Sequence, residues 1–208
     1  MTRRRIELNR DVIAAAALAV VDRNGGAAFS MRSVAAELGS SPMSLYHHVA
    51  DRAELVSLMV DAAMREEPMP THASGGWRDD LWHLAQWLNG SATRHPNLGA
   101  LVVEMKRATA AMFAFGESWV SLWHESGLPE AVALEAAIAS LSSVVAVVNN
   151  PPAPITVPAI ADDELTASPA LEKAMRLSPN SSALFELVVR GTIEGIEARA
   201  RATEGRTS

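Results

Sequence analysis

The sequence predicts an all-α protein with an N-terminal three-helix head containing a helix-turn-helix. A linking helix joins this head to a helical C-terminal body. Three observations carry the prediction. Apolar residues recur three and four apart along most of the chain, which places them on single helix faces. Capping residues precede these runs, and glycines or prolines close them. Pro68, Pro70 and Gly75-Gly76 interrupt the pattern once, early in the chain, giving an expected division into residues 1–66 and 67–208.

The first helix is expected from Asn9, as cap, to about Arg23. It carries Val12, Ile13, Ala16, Leu18, Ala19 and Val20, and Gly25-Gly26 stops it. Arg3, Arg4 and Arg5 precede it, either as a solvated terminus or as an arm that follows phosphate. Phe29 is expected in the core. Ser30 can cap a second helix holding Val34 and Leu38, which Gly39 ends through its access to the left-handed conformation. Ser41 can cap a third helix over 42–48, with Pro42 at the first position, where no N–H is needed. Leu45 and Val49 share its inner face. Met43, Tyr46 and His47 lie on the remaining face, with Ser44 and His48 at the margins, and His48 is expected to be a buried structural residue. A second helix of this kind enters the major groove of DNA. Asp51 and Glu54 form a pair like a capping box that opens a fourth helix, with Leu55, Leu58, Met59 and Ala62, running to about Arg65. Arg52, just inside that cap, is placed to touch phosphate.

The runs Ala35-Ala36-Glu37-Leu38-Gly39 and Leu45-Tyr46-His47-His48-Val49, with Ser41, Asp51-Arg52 and Glu54-Leu55, make residues 9–66 resemble the DNA-binding head of the TetR family of transcriptional regulators. The head is most similar to the tetracycline-repressor branch. The resemblance covers the first third of the chain in sequence and the remainder in architecture. It implies that Arg32 faces DNA, where an arginine can bind guanine bidentately, and that Tyr46 reaches a backbone phosphate. The expected DNA-binding set is Arg32, Ser41, Pro42, Met43, Ser44, Tyr46, His47 and Arg52. The reading helix holds no Lys or Arg. Met43 and Pro42 can offer only apolar contact, for example to a thymine methyl, whereas Ser44 and His47 can hydrogen-bond. A cationic His47 beside phosphate would add to binding, so operator affinity is expected to weaken from about pH 6 to about pH 8.

In the body, Trp77, Leu81, Leu84, Leu88 and Ala92 share one face, flanked by Trp82 and Trp87, and Pro96 ends the helix. Met112, Phe115, Trp119, Leu122 and Trp123 form a second stripe, closed by Gly127. All five tryptophans, at 77, 82, 87, 119 and 123, lie in the body. Each reads most simply as core. Together they can also line a cavity for a small apolar effector, with Trp82, Trp87, Glu104, Met112, Phe115, Trp119, Trp123 and His124 as the expected lining. The helix over 129–148 has Leu134, Ile138, Leu141, Val145 and Val148 on one side. A strip of Ala136, Ser140, Ser143 and Val147 lies beside it. The last helix, over 181–204, holds Gly191 and Gly195 one turn apart, opposite a solvated charged stripe. Glycines inside a helix suggest close approach of another backbone. These two helices suit a four-helix interface in a two-fold dimer, with Ala136, Ser140, Ser143, Val147, Gly191 and Gly195 at the contact; ordinary packing within the chain is the alternative. Between them, six prolines in 149–180 forbid a continuous helix, leaving a lid or a linker.

Composition narrows the chemistry. The 208 residues contain no cysteine, which excludes disulfides, thiolate catalysis and Cys-based zinc sites. His83, His95 and His124 are not at ligand spacing, so no metal is expected, and no cofactor. No nucleophile elbow, phosphate loop or catalytic carboxylate pair appears, so an enzyme is not expected. The run Ala131–Val148 is short and carries Glu135, so no membrane span is expected. The N-terminus has no apolar signal core, which makes the cytoplasm the default location. Net charge is −6. Residues 1–56 hold seven arginines and six acids, however, leaving 11 basic and 18 acidic residues for the rest. The head is thus only weakly basic, and its DNA affinity must come from a few placed contacts and from dimerisation. The resemblance implies a ligand-released homodimeric repressor bound to a double-stranded, palindromic operator. The alternative is a helix-turn-helix protein whose body is a protein-interaction module without a small-molecule pocket.

Overall fold

The polypeptide chain in the computed structural model is described over residues 7–71, 75–149 and 181–204, with 169, 170 and 173. All regular structure there is helical. Packing divides the chain into two compact units, Met1–Gly127 and Leu128–Ser208. The Arg3–Arg5 arm and nearly all of the 149–180 connector lie outside the described residues.

In the first unit, α1 (Arg10–Asn24) begins where the Asn9 side chain accepts the Val12 N–H at 2.8 Å, and it ends at Gly25 with φ 76°. Helix α2 (Met31–Glu37) opens on a reciprocal cap. The Ser33 N–H donates to Ser30 Oγ at 3.0 Å, and the Ser30 N–H donates to Ser33 Oγ at 2.9 Å. Gly39, at φ 61°, turns the chain, and Ser41 caps α3 (Pro42–Tyr46), accepting from the Ser44 N–H at 3.2 Å. The third helix is therefore shorter than the expected 42–48; His47 and His48 continue it as a turn. Leu45 and Val49 are fully buried beneath it.

Helix α4 (Arg52–Arg65) packs chiefly on α1 through Leu55, Val56, Met59 and Ala63. Its N-terminus is dense with charge. Asp51 Oδ1 accepts the Glu54 N–H at 2.8 Å, while Glu54 reaches back to the Ala50 N–H at 2.6 Å and pairs with Arg10. Asp51 Oδ2 also takes the Lys106 ammonium at 2.6 Å. The C-terminal end is tied through Glu66 to Arg94 at 3.3 Å and to His95 Nε2 at 3.0 Å. His95 is buried, and its Nδ1 lies 2.8 Å from Asp22 on α1. Asn97 donates to the Val21 carbonyl at 3.2 Å, and Ser91 to the Ala63 carbonyl at 3.3 Å. The 66/67 junction thus falls inside the first unit, because both ends of α4 are stitched to the segment that follows.

Helix α5 (Trp77–Arg94), a 3₁₀ turn (Gly99–Glu104) and α6 (Ala110–His124) complete this unit. In the second unit, α7 (Glu130–Asn149) packs on α8 (Ser181–Glu204). Helix α7 buries Ala133, Ala136, Ala137, Ser140, Val144 and Val148. Its larger residues Leu134, Ile138 and Val145 remain exposed, as does Leu187 on α8. Among the described residues, α7 is the one helix long and apolar enough to cross a membrane by length and composition. Its exposed row of large residues contributes much of that apolarity.

Two outcomes follow. Leu45→Ala should lower unfolding free energy by about 2–5 kcal/mol, read by chemical denaturation, because the buried leucine leaves a cavity under α3. Asp51 is held below the usual carboxylate range by the Lys106 hydrogen bond and then by the Glu54 N–H. Glu54 is lowered by the Ala50 N–H and by Arg10, and Glu104 by its hydrogen bond from Arg52. Each group is more acidic folded than unfolded, so its stabilisation is complete above about pH 4–5 and is lost as pH falls through the lower folded-state values. The denaturation midpoint should therefore fall steadily below that range, and less steeply in Asp51→Asn.

Candidate nucleic-acid interface

The expected reading residues lie on α2 and along α3 and its ends, at least partly exposed, with Arg52 apart at the start of α4. Met43 and Tyr46 are exposed, at 69% and 49%, although both are large apolar side chains. Arg32, Ser41 and His47 are exposed as well, while Pro42 and Ser44 are half-buried. Arg32 engages no carboxylate among the described residues. The surface is braced from behind. Arg23 on α1 forks onto Glu37 of α2 at 3.0 and 3.1 Å, and Arg10 donates to the His48 carbonyl at 3.1 Å. His48 is half-buried rather than fully enclosed. Ser41 and Ser44 share a hydroxyl–hydroxyl contact of 2.9 Å, which orders the two polar side chains at the helix start. Such a face can meet base edges with hydroxyls and an imidazole, and thymine methyls with methionine and proline.

Arg52 departs from the expected role. Its Nε and Nη2 fork onto Glu104 at 2.6 and 2.9 Å, its Nη1 donates to the Phe29 carbonyl, and its guanidinium lies 4.3 Å from the centre of the Phe29 ring. The planar cation is therefore already engaged. Glu104 departs with it, since its carboxylate belongs to this pair and not to the tryptophan cluster. Neither pairing was visible in the sequence, because the partners lie 52 and 23 positions apart and no local pattern links them. The contacts of His95 with Asp22 and Glu66 were hidden for the same reason.

The rings of the expected effector site are mostly packed against one another. Trp87, Phe115 and Trp119 form a ladder with centroids 5.8 and 5.9 Å apart, and Trp77 meets Trp123 at 5.1 Å. Trp119 and Trp123 are fully buried; Trp82 and Met112 are half-buried, and His124 is exposed. A cleft of about 140 Å³ lies beside the ladder, lined by Met69, Pro70, Asp80, Leu84, Ser118 and Leu122. Among the described residues, no group of three His, Asp or Glu side chains is placed to hold a metal ion.

The residues expected at a dimer contact separate. Ala136 and Ser140 are buried within the chain, and Ser143 and Val147 are half-buried. The small strip of α7 thus serves packing inside the unit, since small side chains let helices approach closely. Gly191 and Gly195 are exposed, and an added Cβ at either would meet open space.

Comparison with known proteins agrees with this architecture. Residues 69–200 match the family described as tetracyclin repressor-like, C-terminal domain. Over 90 residues, 43% of this chain, the sequence is 40% identical to the HTH-type transcriptional repressor DrrR1 of Streptomyces coeruleorubidus. That match covers 33% of the relative, so the chain spans about a third of its length. A possible TetR family transcriptional regulator from Streptomyces coelicolor superposes with a TM-score of 0.75 at 19% identity, covering 91% of this chain and 99% of that one. ActR of Streptomyces coelicolor, in complex with actinorhodin, gives 0.73 at 24% identity, covering 93% and 97%. Identities this low establish a shared fold. The family match over most of the chain establishes kinship: the protein belongs to the tetracycline-repressor-like family of transcriptional regulators, which are not enzymes.

Proposed function

We propose that this chain is a homodimeric, cytoplasmic repressor that binds a palindromic double-stranded operator and is released by a small apolar effector. The observation that carries the DNA reading is the surface of Arg32, Ser41, Pro42, Met43, Ser44, Tyr46 and His47. There, exposed large and polar side chains stand over a fully buried Leu45 and Val49 anchor. A fixed backbone with an unoccupied outer face is what groove reading needs. With few cations on the head, two heads acting together supply the affinity that a single one lacks.

The dimer reading rests on the second unit. Leu134, Ile138 and Val145 on α7, and Leu187 with Gly191 and Gly195 on α8, leave rows of apolar and small residues exposed. A second copy of the chain is the natural cover for them. The effector reading rests on the ladder of Trp87, Phe115 and Trp119 and on the fold shared with ActR, solved in complex with actinorhodin. An effector that parts these rings would gain room beyond the cleft of about 140 Å³. A body that only binds protein would leave them packed, and intrinsic tryptophan emission separates the two readings. Saturable quenching by apolar compounds that also free the operator supports the effector; no response across a broad panel supports the protein-interaction module.

The primary experiment is selection from a random duplex pool by the purified protein. A palindrome with half-site centres about 34–36 Å apart is expected; no enrichment from a monomeric protein would refute the proposal. Ile138→Glu should shift the dimer toward monomer in sedimentation and weaken operator binding. Arg32→Ala should cost about 1–3 kcal/mol of operator affinity and relax the sequence preference.

A further inference from the structure

The engagement of Arg52 has a meaning beyond the loss of one phosphate contact. Three parts of the first unit meet at this guanidinium. It is carried by the first residue of α4. Its fork takes both carboxylate oxygens of Glu104, the last residue of the 3₁₀ turn. Its remaining terminal nitrogen donates to the carbonyl of Phe29, the residue immediately before the Ser30 cap of α2. The ring of Phe29 lies against the cation and is itself buried. A planar, five-donor group is the one side chain that can serve a carboxylate fork and a carbonyl at the same time.

We propose that Arg52 is a positioning residue for DNA recognition. It fastens Glu104 to the backbone at the foot of α2, so the 3₁₀ turn sets the seat of the helix-turn-helix. The inference rests on the operator-binding reading and deepens it. Whatever moves the 99–104 turn pulls on Phe29 through one ion pair, and so on the helix that carries Arg32. Lys106, two residues beyond Glu104, pairs with Asp51 beside Arg52, so the connection is doubled at the α4 N-terminus.

The test uses the operator selected by the wild-type protein; if none is selected, the operator reading has failed and a positioning role for Arg52 in DNA recognition falls with it. Affinity for that operator is then measured against salt for Arg52→Lys, Arg52→Gln, Glu104→Gln and the double variant Arg52→Gln/Glu104→Gln, with thermal unfolding confirming that each is folded. Each single variant should weaken binding about five- to tenfold, and the double variant no more than the worse single one, because the two side chains act as one unit. The slope of log affinity against log salt should match wild type in every variant. Arg52→Lys keeps the charge but loses the fork, so it should behave like Arg52→Gln. The proposal is overturned if Arg52→Lys binds as wild type, if Glu104→Gln has no effect, or if Arg52→Gln lowers the salt slope by about 0.9, the signature of one lost phosphate contact.

Discussion

Helix α4 is held in register by charge at both ends, and the arrangement of the first unit depends on that restraint. Its apolar face, Leu55, Val56, Met59 and Ala63, supplies burial against α1. Burial is non-directional, and alone it would tolerate sliding and rotation. The ion pairs remove that freedom. At one end Asp51, Arg52 and Glu54 engage Lys106, Glu104 and Arg10. At the other, Glu66 meets Arg94 and His95, and His95 also meets Asp22. Exposed and partly exposed pairs of this kind contribute little stability individually. Their effect is geometric, since each fixes one end of a rod at one point.

How much of this was legible in the sequence depended on the range of the interaction. Asn9, Ser30, Ser41 and Asp51 cap helices as their identity and position imply, because capping is settled within four residues. The reciprocal Ser30–Ser33 cap was missed because serine at the third position is not the usual glutamate or glutamine. The burial of Leu45 and Val49 followed from spacing. Arg52, Glu104 and His95 did not, because their partners are set by how helices dock, and periodicity carries no information about that. The helix over 129–148 shows a subtler limit. Its apolar stripe and its small-residue strip lie side by side, and spacing could not say which faced inward. The structure buries Ala136 and Ser140 and leaves Leu134 and Ile138 outside, because close helix contact selects the small residues.

On the proposed operator reading, a weakly basic head would draw its selectivity from shape and placed polar groups. Long-range attraction to phosphate is generic and falls steeply with salt. On that reading Met43, Ser44 and His47 would offer shape and hydrogen bonding in its place, which discriminate among base pairs and add little non-specific affinity. Braces such as Arg23–Glu37 lie behind this face. They spend arginines on holding the head rigid that another protein could spend on the DNA backbone.

Asp51 shows what such economy entails over evolutionary time. One carboxylate both caps α4 and receives the Lys106 ammonium, using a different oxygen for each. Asparagine there would keep the cap and forfeit the charge. Glutamate would keep the charge and, being one methylene longer, forfeit the cap. Neither single step is neutral, so in diverging lineages positions 51 and 106 should drift together or not at all.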